Sequence, residues 1–527
     1  MAQSAVDTTS TAPDSIQDKG EAPVSADKRI LITASVMLAT IIQALDTTIA
    51  NVALPHMQGS MSATQDQISW VLTSYIVAAA IFLPLTGFLS DRFGRKRLML
   101  WSIAGFTITS MLCGAAQNLP QVVIFRLLQG VFGAALVPLS QSILLDTYPK
   151  EKHSQAMAVW GMGVVLGPIL GPTLGGLLTE HYSWRWVFYI NVPLGLLAWL
   201  GVMATVKETS INKARHFDLL GFAFLSLGIG ALQMMLDRGE SQNWFHSPEI
   251  VAECILMGLG FYWFITHIFT YKQPFIEPAI FKDRNFSVGL IFMFVVGIIL
   301  LATMALLPPF LQNLMGYPVV DVGLVMAPRG MGVMFSMMIV GKIAGKVDPR
   351  HQVFFGLLLT IISLWEMTLF TTDITSWDIV RTSVVQGVGL GFIFVPLSAI
   401  AFASLEGRYR NEGTALFSLT RNIGSSIGIS VVMAELQQNI QKNHAAFADY
   451  ITPYNQALAK VGKTGYWDIN TTQGLVAINS EVQRQAATLA YLQDFQLMMW
   501  VTIAALPLLL LLKAPHKGAA PANIAAD

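Results

Sequence analysis

Apolar residues run along this chain in fourteen stretches, each long enough as helix to cross a bilayer, divided by short polar breaks. A hydrocarbon core of about 30 Å takes roughly 20 residues of helix. The pattern predicts spans near 30–55, 67–90, 98–117, 120–146, 154–180, 184–206, 217–236, 249–270, 287–312, 319–342, 352–371, 377–404, 411–435 and 491–512. The first run is too long for a cleavable signal peptide and carries Asp46 inside it. Residues 1–28, rich in Ala, Ser, Thr, Asp and Pro, read as a disordered tail, and 513–527 as a second tail. With 54% hydrophobic and only 12% charged residues, a soluble reading is excluded. The fold class is an all-α polytopic membrane protein.

The basic residues set an orientation. Of 32 Lys and Arg, 22 fall in the tails and even-numbered loops and seven in the odd-numbered loops. Arg126, Arg329 and Arg421 lie inside spans. The positive-inside rule then places both termini in the cytoplasm. Formal net charge is zero, so no nucleic-acid partner is implied. Cys113 and Cys254 fall in or near spans and suggest neither a disulfide framework nor a metal site.

The chain also repeats. Gly87-Phe-Leu-Ser-Asp91-Arg92-Phe-Gly94-Arg95-Lys96-Arg97 follows span two, and a worn copy from Gly341 to Arg350 follows span ten, 254 positions later. Gln129-Gly130 and Val137-Pro138-Leu139-Ser140 in span four return as Gln386-Gly387 and Val395-Pro396-Leu397-Ser398 in span twelve. Two six-helix halves follow, 29–206 and 287–512, with two inserted helices over 207–286 and one sizeable outward loop over 436–490. Paired halves with a site between them are the architecture of alternating-access carriers.

A charge within a spanning helix costs roughly 2.5–3.5 kcal/mol on insertion scales, so each needs a reason. Counted from the outer ends of their spans, Asp46 and Arg126 differ in depth by only about 5 Å, which makes them plausible partners. A proton site at Asp46 and a fixed ion pair docking two helices are the competing readings. Arg329 follows Pro328, where a kink would offer carbonyls for its guanidinium. Glu366 could pair with Arg329 or Arg421, or take a second proton. Glu253 and Glu435, nearer span ends, read as solvated. Asn51, Gln129, Arg329 and Arg421 are the polar candidates for a substrate cavity, beside many Met and Phe side chains suited to a pliable apolar site.

Two glycine patterns add packing. Gly87 allows close helix approach and Gly94 a tight turn. Asp91 can face the positive end of a neighbouring helix and pair with Arg92 or Arg95, forming a latch between halves. Gly345 replaces Asp91 in the second copy, so a latch would be one-sided. Gly163, Gly167, Gly171 and Gly175 recur at every fourth position with Pro168 and Pro172 alongside, a smooth stripe for close packing on a helix kinked by its prolines. Gly462-Lys463-Thr464 resembles the end of a phosphate loop but lacks the leading glycine, Ala457 standing there. No nucleophile–base pair or metal cluster suggests an enzyme.

Several of these segments together resemble one family. Leu45-Asp46-Thr47-Thr48-Ile49-Ala50-Asn51-Val52-Ala53-Leu54-Pro55 resembles the first-helix motif of fourteen-span drug:proton antiporters. Gly87–Arg97 resembles the signature loop of the major facilitator superfamily, Arg126–Ser140 its fourth-helix motif, and Gly163–Gly176 the fifth-helix antiporter motif. Trp184-Arg-Trp-Val-Phe-Tyr-Ile-Asn191-Val-Pro193 resembles the start of its sixth helix. The likeness covers nearly the whole chain and looks closest to the EmrB-type inner-membrane branch. It implies a major facilitator fold and export of hydrophobic drugs in exchange for protons, with no cofactor beyond the proton gradient. It further implies a bacterial inner-membrane location, an EmrA-like periplasmic membrane-fusion adaptor and a TolC-like outer-membrane channel. Competing functions are a proton-coupled carrier of one metabolite (siderophore, fatty acid or sugar) and a non-transporting receptor on the same fold.

Overall fold

The computed structural model describes residues 26–149, 152–209, 211, 216–452, 454–455 and 467–513. Most of the first tail, Gly462–Thr464 and the last fourteen residues lie outside the described residues. Described residues form helices and connecting turns. The first half holds α1 (Ala26–Met61), α2 (Gln65–Phe82), α3 (Leu85–Phe93), α4 (Arg95–Ala115), α5 (Leu119–Gly133), α6 (Leu136–Thr147), α7 (His153–His181), α8 (Trp186–Tyr189) and α9 (Asn191–Thr205). Next come α10 (Leu219–Arg238) and α11 (Pro248–Thr270). The second half holds α12 (Arg284–Pro309), α13 (Val319–Ile343), α14 (Pro349–Met367), α15 (Ser376–Ala403), α16 (Arg410–Ala448) and α17 (Thr472–Ala505).

Local chemistry explains where these helices start and break. Thr64 caps α2 with a reciprocal Gln67 bond, and Thr375 does the same for α15 with Asp378. Asn118 accepts the Gln121 N–H at the start of α5, where Pro120 needs no donor. At Pro84 the chain bends by 59° between α2 and α3. Gly94, at φ +88°, makes the turn into α4.

Fourteen helical units match the fourteen apolar stretches, α2–α3, α5–α6 and α8–α9 each making one. By length and hydropathy, however, only eleven described helices qualify as spans, or twelve counting the bent pair α2–α3. The shortfall is α14 and α16. Phe354, Phe355, Leu358, Ile362 and Trp365 stand exposed on α14 while Thr360 and Ser363 are buried. Packed against α12, α17, α3 and α6, α16 carries Arg421, Asn422, Ser425 and Ser426 within protein. A helix sheltered by neighbours does not need an apolar surface all round. The loop expected over 436–490 is largely helix: α16 runs on to Ala448 and α17 begins at Thr472.

Packing pairs α1 with α7 and α9, α2 and α4 with α5, α12 with α16, and α13 and α14 with α15. The halves meet where α7 lies along α13 and where α3 and α6 meet α16. The inserted pair α10–α11 sits beside both halves. Gln233 Oε1 on α10 accepts from Ser426 Oγ at 3.0 Å, the Leu236 carbonyl accepts from Ser430 Oγ at 2.7 Å, and Asp237 accepts from Thr73 on α2.

Candidate functional site

Asp46 is fully buried within α1 and faces three donors from two other helices. Arg126 Nη1 on α5 donates to its Oδ2 at 2.6 Å. Gln129 Nε2, one turn along α5, donates to Oδ1 at 2.9 Å, as does Asn191 Nδ2 at the start of α9. Arg126 is held in turn: its Nε donates to the Val71 carbonyl on α2 at 3.1 Å and its guanidinium lies 4.3 Å above the Tyr75 ring. Tyr75 Oη accepts from Gln43 Nε2 at 3.2 Å, and Ser110 Oγ on α4 accepts from Asn191 and donates to the Phe188 carbonyl. Five helices of the first half thus converge on one carboxylate. An acid and a base so enclosed interact strongly, and a proton added to the acid turns one of its acceptor oxygens into a donor.

Expected on the cavity wall, Gln129 is instead completely buried in this cluster, because the Asp46 carboxylate offers it a charged acceptor. Asn51 is exposed, five positions after Asp46 on α1. Asn191, Ser110 and Tyr75 belong to the cluster but carry no charge to mark them in the sequence.

The glycine stripe of α7 lies on this same α1. A Cβ at Gly167 would fall 2.3 Å from the Ala44 carbonyl carbon and one at Gly171 2.1 Å from Thr48 Oγ1, while Gly163 and Gly175 meet Met37 and Ile49. The close approach lets Thr48 Oγ1 donate to the Gly167 carbonyl at 3.0 Å. The helix is continuous past Pro168 and Pro172, whose side chains lie outside the described residues.

At the basic end, the halves interlock. Asp91 accepts from Asn411 Nδ2 at 2.6 Å, in the first turn of α16, and Ser142 on α6 donates to Asn411 Oδ1 at 2.7 Å. Arg95 pairs with Asp146 on α6, rather than with Asp91 alone as expected, and Asp146 also pairs with Arg410. A Cβ at Gly87 would meet the Glu412 backbone at 3.1 Å. Glu277, before α12, joins through its N–H to Glu412 at 2.9 Å and accepts from Tyr409 Oη at 2.8 Å. Burial and the Glu277 carboxylate both push the Tyr409 hydroxyl above its ordinary pKa. Exposed Arg92 lies at the edge of this contact beside Phe88 and Phe217. Gly94 abuts Glu208, whose carboxylate accepts the Lys96 and Arg97 N–H groups at the start of α4. In the second copy, the helix stops at Ile343, before Gly345 at φ +79°, and among the described residues the Asp348 carboxylate bonds its neighbour Arg350 at 2.9 Å. Exchange of Asp146 for asparagine strips Arg95 and Arg410 of their shared partner. Spin labels on the facing ends of α3 and α16 should then show longer and broader distances than in the parent.

The second half differs from expectation. Glu366 sits one residue from the end of α14, because the helix stops at Met367, and its partner is exposed Arg381 at 3.5 Å rather than Arg329 or Arg421. Pro328 leaves α13 unbroken, and Arg329 Nη2 reaches the Leu300 carbonyl on α12 at 3.3 Å instead of its own helix. Glu253, read as solvated, is buried, with neither carboxylate oxygen hydrogen-bonded in the described residues.

The chain is 36% identical to the fatty acid resistance protein FarB of Neisseria gonorrhoeae over 92% of its own length and 97% of the relative's. It is 34% identical to the multidrug export protein EmrB of Escherichia coli K12 over 82% and 85% of the two chains. The crystal structure of the human organic anion transporter MFSD10 superposes with a TM-score of 0.57 at 14% identity, covering 90% of this chain and 99% of that one, a likeness of fold alone. A profile of the Major Facilitator Superfamily matches residues 36–429. With its repeated halves and many spanning helices, this multi-pass membrane protein belongs to the Major Facilitator Superfamily.

Proposed function

We propose that this protein exports hydrophobic and amphipathic compounds across a bacterial inner membrane in exchange for protons, by alternating access. The observation that carries the reading is the buried Asp46 carboxylate, held by Arg126, Gln129 and Asn191 on the helix against which α7 packs through glycines. Both termini are cytoplasmic, so the interlocked basic end faces the cytoplasm and the described state is closed on that side. A proton reaching Asp46 from outside weakens its hold on Arg126 and frees α1 and α5 to shift against α7. The Asp91–Asn411 and Asp146–Arg410 contacts then part, the cytoplasmic side opens, and the proton leaves as cargo binds. Chain extensions beyond the bilayer at the ends of α16 and α17 supply a surface for an EmrA-like adaptor leading to a TolC-like channel.

Drug-dependent proton movement in proteoliposomes tests this reading. Chemically unrelated amphiphiles should each elicit proton release under an opposing drug gradient. Response to a single metabolite would point to a dedicated carrier. Substrate binding without flux under any gradient would point to a receptor.

A further inference from the structure

The sequence repeat puts a second, altered copy of the Asp46 cluster in the other half. Gln386, 257 positions after Gln129, donates to Thr303 Oγ1 at 3.4 Å, and Thr303 lies 257 positions after Asp46. Gly130 faces the Tyr75 carbonyl and Gly387 the Arg329 carbonyl, so Arg329 stands where Tyr75 stands, at the offset of 254 that relates the two signature loops. Gln43 bonds Tyr75 in one half, and Leu300, 257 positions later, bonds Arg329 in the other. By the same spacing Ser383 takes the place of Arg126.

What changes is the charge. The first cluster pairs one acid with one base. The second keeps a base, Arg329, but threonine replaces the acid. The cost is visible in unmet polar atoms: Arg329 Nη1, Gln386 Oε1 and Ser383 Oγ are all buried with no hydrogen-bond partner among the described residues, and all three residues are at least 98% buried. The backbone of a second arginine lies near. The Arg421 carbonyl abuts Gly297 on α12, one turn from the Leu300 carbonyl that receives Arg329. Half-buried Arg421 has no acidic partner among the described residues, and neither has Arg329. Two arginines thus pack on one stretch of α12, one through its guanidinium and one through its backbone, with no acidic partner among the described residues, in surroundings where an unpaired charge is expensive.

We propose that Arg329 and Arg421 receive the acidic head group of an amphiphilic cargo, whose carboxylate supplies to the second half the negative charge that Asp46 supplies to the first. Ser383 Oγ, without a partner among the described residues, offers a hydroxyl donor to the same group, whereas the Thr303 hydroxyl already donates to the Ile299 carbonyl at 2.7 Å. The proposal deepens the export reading by naming the cargo class, but its test needs no transport.

Binding of dodecanoate, methyl dodecanoate and dodecyltrimethylammonium is measured by calorimetry, with the full chain in nanodiscs of zwitterionic lipid so that no lipid anion competes. The parent should bind the carboxylate at least about 10-fold more tightly than the ester, the scale of one or two charge-assisted hydrogen bonds. Arg329→Gln should remove that preference and leave ester affinity unchanged, Arg421→Gln should reduce it, and Arg329→Lys should keep part of it. Thr303→Asp, which restores an acid where the first half has one, should also abolish carboxylate binding by occupying Arg329, and it does so without emptying the cluster. Equal affinity of the parent for acid and ester would overturn the proposal, as would an unchanged acid preference in both Arg329→Gln and Thr303→Asp. Absence of pumping with the acid preference intact would count against export alone.

Discussion

Asp46→Asn is expected to leave only passive leak in a pH-gradient-driven export assay. Asparagine fills the same space but cannot carry an exchangeable proton, and it leaves Arg126 buried without a counter-charge. Breaking a buried pair from one side costs about 3–5 kcal/mol, so the single variant should also unfold at lower temperature. The double variant Asp46→Asn/Arg126→Gln separates the two effects. With both charges gone, thermal stability should recover most of the loss while pumping stays absent. Recovery of pumping together with stability would reduce the pair to a helix dock, the competing reading of the same geometry.

Gly167→Leu is expected to be nearly as damaging, for a steric reason. Its first side-chain carbon would fall 2.3 Å from a backbone carbonyl of α1, which cannot rotate away as a side chain can. Forcing atoms into a packed interface costs typically 1–3 kcal/mol, and here the interface is the one between α7 and the helix that carries Asp46. Thermal unfolding and drug efflux should both fall, with Gly167→Ala intermediate. Gly176→Ala on the same helix is the control, since nothing lies within 4 Å of the added carbon. Equal behaviour of the two alanine variants would remove the stripe from any special role.

How far the sequence foretold these contacts depended on distance along the chain and on charge. Asp46 and Arg126 could be matched because hydrocarbon thickness converts residue number into depth, and two opposite charges at one depth have reason to meet. Asn191 could not, since an uncharged amide at a helix start is as readily a cap as a ligand, and only the fold turns it towards α1. Glu366 was misplaced by the same ruler: the apolar run continues past Met367, whereas the helix stops there. The basic-end contacts were half legible. Asp91 and Arg95 belong to a patterned loop, but their partners Asn411 and Asp146 come from segments as far as 320 positions away, and no local pattern announces them. The repeat was legible as glycine and glutamine spacing, while the exchange of acid for threonine at 303 became visible only through the contact of Gln386.

The inserted helix α10 hydrogen-bonds α16 at Ser426 and Ser430 and α2 at Thr73. A carrier of twelve spans could swing these two helices together unhindered at the end opposite the signature loop. Here a third body is wedged against both, so each turnover must either shear three polar contacts or drag α10 and α11 along as passengers. Such contacts are individually worth about 0.5–1.5 kcal/mol, small enough to break in every cycle, large enough to set how closely α2 and α16 stand at rest.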